Sequence, residues 1–218
     1  MPSPPNSNPN SNHSRSFTPH VGPEPPEPPH IEPGELFEND PERDRNLPKR
    51  RLARERVMQI LYAHELSGRD LEELFWEFIE RDLRDADERA GASEADGALD
   101  FARGLTREFL RYRTEIDELV SKKLERWDFR RVALIDRLLI EIGIVELLYF
   151  PEIPPKATIN ELIEIAKDFS TEESGKFING LLHAFLTDLR ESGALHKTGR
   201  GLIEESIGGH SSWKGRKR

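Results

Sequence analysis

From residue 47 onward, apolar side chains recur at spacings of three and four, the period of a helix face turned toward a core. Ala53, Val57, Ile60, Leu61 and His64 form the first stripe and predict a helix from about residue 49 to 67. Leu71, Leu74, Phe75, Phe78, Ile79 and Leu83 predict a second, from about residue 70 to 85. The stretch 85–97 is polar with two glycines and reads as a loop. Leu99, Ala102, Leu105, Phe109 and Leu110 mark a third helix over about 98–112. Ile116, Leu119, Val120 and Leu124 mark a fourth, with Thr114 as candidate N-cap. The fifth, about 131–150, is apolar on nearly every side (Val132, Leu134, Ile135, Leu138, Leu139, Ile142, Val145, Leu148). A helix of that kind is contacted all round and belongs at the centre. Pro151, Pro154 and Pro155 stop it. No segment alternates as a strand does, so the fold class is all-α.

Two further helices follow the prolines. Their stripes are Ile159, Leu162, Ile163 and Ala166, then Ile178, Leu181, Leu182, Phe185 and Leu189, ending near residue 190. Each start carries a capping-box pattern, Thr158 with Glu161 and Ser170 with Glu173. A short joint near 169–171 connects them. Phe169 and Phe177 stand beside it with Lys167 and Lys176. These aromatics read either as core residues of a helix hairpin or as faces on which bases stack.

Composition divides the chain into three parts. Residues 1–46 are rich in Pro, Asn, Ser and Glu, with P-E-P-P-E-P-P at 23–29, and have little to bury. They read as a disordered extension, with a proline-motif ligand as the alternative. Residues 47–190 hold the periodic segments. Residues 191–218 read as a flexible tail ending in the basic K-G-R-K-R, which could add non-specific RNA affinity. The net charge is −9, of which −5 falls in residues 1–46, so any nucleic-acid site must be a local basic patch. There is no cysteine, which excludes disulfides, thiolate nucleophiles and cysteine metal sites. No apolar run reaches the roughly 20 residues of a membrane span, and no basic-then-apolar leader opens the chain. The expected location is the cytoplasm.

Enzymatic signatures are absent from the pattern. The seven histidines contain no H-x-x-x-H pair, so a metal site is not expected. Gly175-Lys176 lacks the rest of a phosphate-binding loop, and there is no G-x-S-x-G elbow. No cofactor is implied, and the chain reads as a binding module. The candidate chemistry lies at the first helix start, where Lys49, Arg50, Arg51, Arg54 and Arg56 crowd together. Cations there oppose the helix dipole. The cluster is either a solvated helix start or a site that holds phosphates.

Three separated motifs carry a family resemblance: R-R-L-A-R-E-R-V-M-Q-I-L-Y (50–62), I-P-P-K-A-T-I-N-E-L-I-E-I-A-K-D-F (153–169) and E-E-S-G-K-F-I-N-G-L-L (172–182). In order and spacing they resemble the NusB family of transcription antitermination factors, over about residues 47–190. The resemblance implies about seven helices in two small subdomains. It implies binding of single-stranded boxA RNA of ribosomal RNA leaders, a heterodimer with the small-subunit ribosomal protein NusE, and loading onto RNA polymerase with NusA and NusG. Carried over residue by residue, it places Lys49, Arg50, Arg51, Arg54, Tyr62, Phe169, Lys176 and Phe177 at the RNA face, with Glu173 at an acidic position there. It places Asp136 on the NusE-facing side. Two positions depart from the family pattern: Glu141 stands where arginine is usual and Val145 where tyrosine is usual. Both bear on packing or on the NusE contact. The alternative function is a helical adaptor that binds NusE without specific RNA recognition. A free-standing RNA methyltransferase, to which such domains also occur fused, lacks here both its cysteine and its glycine-rich cofactor region.

Overall fold

The computed structural model describes residue 37 and residues 40–89, 97–124 and 132–199. Within these, the chain is helical and forms no strand. The helices are α1 (Pro41–Asn46), α2 (Lys49–Ser67), α3 in three continuous pieces (Leu71–Leu74, the π-helical turn Phe75–Ile79, and Glu80–Arg89), α4 (Ala98–Arg111), α5 (Arg113–Leu124), α6 (Leu134–Tyr149), α7 (Pro155–Phe169) and α8 (Glu172–Glu191). The seven helices expected from the apolar stripes are α2 to α8. No helix among the described residues is long and apolar enough to cross a membrane.

Helix α6 is the hub, packed against α2, α4, α5, α7 and α8. Its apolar girth explains this, because Leu138, Leu139, Ile140, Ile142, Ile144, Val145 and Leu147 are all buried. Gly143 permits the closest approach, since a Cβ there would stand 2.7 Å from Leu182 and 2.9 Å from Leu162. Helices α2, α3 and α4 pack on one another at one end, and α7 packs on α8 at the other.

Both ends of the domain extend past the boundaries expected from composition. Upstream, Asp40 caps α1 by accepting from the backbone N–H of Glu42 (2.9 Å) and Arg43 (3.2 Å). Phe37 is buried in the core cluster. Phe37 and residues 40–46 thus belong to the fold. The rest of the expected disordered extension, residues 1–36 and 38–39, lies outside the described residues. Downstream, the Lys197 ammonium donates to the backbone carbonyls of Glu146 (3.1 Å) and Phe150 (2.9 Å) at the C-terminal end of α6, where a cation complements the helix dipole. The Thr198 N–H donates to the Pro151 carbonyl at 2.9 Å. Residues 192–199 therefore fold back on the end of α6. The basic terminus lies outside the described residues.

The two capping boxes are corrected as well. Helix α7 starts a turn earlier than expected, with Pro155 in its first turn, because proline's fixed φ suits that position. Thr158 is consequently inside the helix, and its hydroxyl donates to Glu146 Oε2 at 2.8 Å. Helix α8 starts one residue later. Thr171 is the N-cap, and the reciprocal partner is Ser174 rather than Glu173.

Candidate nucleic-acid interface

The start of α2 presents fewer free cations than its sequence promises. Arg54 is buried (2% exposed), and its Nε and Nη2 donate to Glu146 Oε1 and Oε2 at 2.6 and 2.8 Å. A guanidinium held bidentate in the interior cannot track phosphates, so Arg54 is corrected from an RNA contact to a tie between α2 and α6. Arg56 is also buried, paired with Asp44 of α1 and, at 2.8 Å, with Asp82 of α3. Arg51 is half-buried and donates to Glu161 of α7 at 2.6 and 3.2 Å. That hydrogen bond raises its pKa, so it stays cationic while its charge is largely answered. Lys49 lies 3.6 Å from Asp87. Arg50 is exposed, has no carboxylate partner among the described residues, and stands over the Phe101 ring at 5.3 Å.

The α7–α8 joint is built around Asp136. Its Oδ1 accepts from the Ser170 hydroxyl at 2.6 Å and its Oδ2 from the Ser174 hydroxyl at 2.7 Å. Asp136 is 6% exposed. The residue expected to face NusE is thus corrected to an internal one, which fixes the joint to the first turn of α6. Both of its carboxylate oxygens are engaged within the fold.

The joint's aromatic neighbours include residues the sequence did not single out. Phe169 is half-buried, with Phe37 edge-on to it at 5.7 Å between centroids and Tyr62 edge-on to Phe37 at 5.4 Å. Arg43 stands over Phe169 at 5.7 Å. It also donates to Glu55 Oε2 and Oε1 at 2.8 and 2.9 Å and to Asp168 at 2.6 Å. The Glu55 hydrogen bond foremost raises the Arg43 pKa, whereas burial pushes the Glu55 carboxyl up against the pull of Arg43. Asp40 followed by Pro41 is a helix-start signature that could have revealed α1 and hence Phe37 and Arg43. Phe177 packs partly against the core cluster and keeps part of its surface, and Lys176 beside it is exposed.

These contacts set the register of α2 against α7. Arg51 meets Glu161, while Tyr62 and Glu55 belong with Phe37, Arg43 and Asp168 at the joint. Along α2, Arg50 therefore lies about 8 Å from the level of Glu55 and about 18 Å from that of Tyr62. The basic start and the aromatic joint lie along the same two helices, separated by this rise along α2. The two departures from the family pattern are interior: Glu141 and Val145 are each 0% exposed, and Arg137 Nε donates to Glu141 Oε1 at 2.7 Å.

Comparison with known proteins agrees in extent with this helical body. The NusB family model matches residues 51–187. A transcription antitermination protein NusB from Salinibacter ruber (strain DSM 13855 / M31) is 44% identical over 154 residues, covering 71% of this chain and 91% of that protein. The structure of T. maritima NusB superposes with a TM-score of 0.54 at 34% identity, over 65% of this chain and 92% of that one. A crystal structure of antitermination factors NusB and NusE in complex with dsRNA superposes with a TM-score of 0.51 at 26% identity, over 64% and 97%. The family match over most of the described helices, together with this level of identity and coverage, shows that the chain belongs to the NusB family.

Proposed function

We propose that this protein is a non-enzymatic, cytoplasmic transcription antitermination factor. It binds single-stranded boxA RNA of ribosomal RNA leaders together with NusE, joins RNA polymerase with NusA and NusG, and lets the polymerase read through terminators. The observation that carries this reading is the likeness to the NusB of the NusB–NusE–dsRNA complex, over almost the whole of that chain.

The geometry supports a division of labour at the RNA face. Single-stranded RNA is held by cations along its phosphates and by aromatic faces under its bases. Arg50, with Lys49 and Arg51 beside it, supplies cations at the start of α2. Tyr62, Phe169 and Phe177 supply partly exposed rings near the joint, with Lys176 beside them. The separation along α2 is a few nucleotides of extended strand, so one RNA can cross both. The observation that favours the adaptor reading is the pairing of Arg51, Arg54 and Arg56 with carboxylates, which leaves the helix start less basic than its sequence. Fluorescence anisotropy with a boxA oligonucleotide and a scrambled control, with and without NusE, separates the two. Preference for boxA with a log–log salt slope of about −2 to −4 supports RNA recognition by three to five phosphate contacts. Equal binding of both oligonucleotides in the presence of NusE overturns it.

A further inference from the structure

A second arginine-lined site lies between α3 and α4 and shares no lining residue with the joint. It is a groove of about 520 Å³ walled by Glu72, Phe75, Trp76, Arg103, Thr106, Arg107, Leu110 and Arg111. The π-helical turn places Phe75 (3% exposed) and Ile79 (0%) in the core while Trp76 remains 49% exposed. Turns of this kind often mark functional sites. Leu110, 47% exposed, forms apolar wall opposite. Half-exposed Trp and Leu facing one groove make an apolar surface that solvent does not favour.

Arg103, Arg107 and Arg111 follow one another at every fourth residue of α4, all exposed. Their Cα atoms therefore rise about 6 Å per step, a spacing close to the phosphate step of an extended single strand. Arg103 stands over the Trp76 ring at 5.6 Å. Arg103 and Arg111 have no carboxylate partner among the described residues, and Arg107 has only a surface contact with Glu108 at 3.1 Å. Such a pair contributes little and gives way to a phosphate. Thr106, 4% exposed, lines the groove with a buried hydroxyl that has no hydrogen-bond partner among the described residues. The Glu72 carboxylate adds an acceptor suited to a base amine.

We infer that the α3–α4 groove binds a single-stranded RNA segment outside the element held at the joint, with Trp76 stacking a base and Arg103, Arg107 and Arg111 holding successive phosphates. This rests on the reading of the chain as an RNA binder and extends it to a second surface. An acidic protein segment would satisfy the arginines but would leave the exposed Trp76 ring without a base to stack.

The test compares a boxA dodecamer with the same element carrying a uridine-rich extension of about 20 nucleotides, by anisotropy with the full chain and NusE. Trp76→Leu and the double variant Arg103→Gln/Arg107→Gln alter solvent-facing groups, and unchanged melting temperatures confirm folding. The wild type is expected to bind the extended RNA about tenfold tighter than the dodecamer, the gain of one stacked base and its phosphates. The groove variants are expected to lose that gain and keep dodecamer affinity. No gain in the wild type, a gain kept by the variants, or lost NusE binding with RNA affinity intact would each overturn the proposal. Quenching of tryptophan fluorescence by oligouridylate, lost in Trp76→Phe, reads the groove separately. It keeps the groove testable even if the dodecamer fails to bind and the boxA reading falls.

Discussion

Arg54 and Glu146 form a buried bidentate ion pair, Nε to Oε1 at 2.6 Å and Nη2 to Oε2 at 2.8 Å, at the crossing of α2 and α6. The same Glu146 carboxylate accepts from Thr158 of α7, so one side chain holds three helices. Removing one partner of such a pair leaves an uncompensated charge in the interior. Arg54→Ala is expected to cost about 3–5 kcal/mol of stability. Arg54→Met combined with Glu146→Leu is expected to cost much less. Urea denaturation of both variants checks this, and equal losses would show that packing rather than charge dominates the site.

Glu141 makes stability depend on pH. Burial, opposed by Arg137 and Arg113, pushes its carboxyl up from 4.5 to about 7, and its Oε2 has no hydrogen-bond partner among the described residues. The folded chain thus holds this proton more tightly than the unfolded chain. The stabilisation is complete below about pH 4.5 and fades as the pH rises toward 7. Glu141→Gln keeps the neutral form at every pH. Its stability relative to wild type is expected to rise by roughly 1–3 kcal/mol between pH 5 and pH 8. Thermal melts across that range decide the matter, and a difference independent of pH would refute the assignment.

At the start of α2, phosphate contact and scaffolding can be tested apart. Arg50→Ala is expected to weaken boxA binding and to lower the salt slope by about 0.7, one phosphate on a single strand, with stability unchanged. Arg51→Ala is expected to destabilise the fold as well, because it releases Glu161. Anisotropy and thermal melts on the same two samples distinguish the roles.

At the joint, Phe177→Ala is expected to cost about 1–3 kcal/mol of RNA affinity through lost stacking. A neutral effect on RNA with a lower melting temperature would assign the ring to the core. Phe37→Ala is expected to cost about 3 kcal/mol of stability, because this buried ring packs against both Tyr62 and Phe169. Chemical denaturation measures that loss, and an unchanged midpoint would place Phe37 outside the cooperative fold.

The α2 to α8 succession was legible because burial imposes a period on the sequence. Leu138, Leu139, Ile142 and Val145 could only belong to a helix surrounded by others, and α6 is that helix. Proline and capping chemistry placed the ends within a few residues, since these act through local backbone geometry. The three motifs carried the family for the same reason: they are contiguous, and α2, α7 and α8 keep them so.

What only the tertiary structure decided is the fate of each charge. Sequence lists Arg50, Arg51, Arg54 and Arg56 as four equivalent cations. The fold leaves one exposed, shares one with Glu161 and buries two against Glu146, Asp44 and Asp82. Their partners lie on α1, α3, α6 and α7, up to 110 residues away, and no local pattern encodes such a pairing. Phe37 and Lys197 likewise look like parts of polar tails until α2, α6 and α7 supply the surfaces they cover. Periodicity is a property of one segment, whereas desolvation of a charge depends on everything packed around it. The sequence therefore determined the helices and the family, and the packing determined which of its cations remain exposed at the surface.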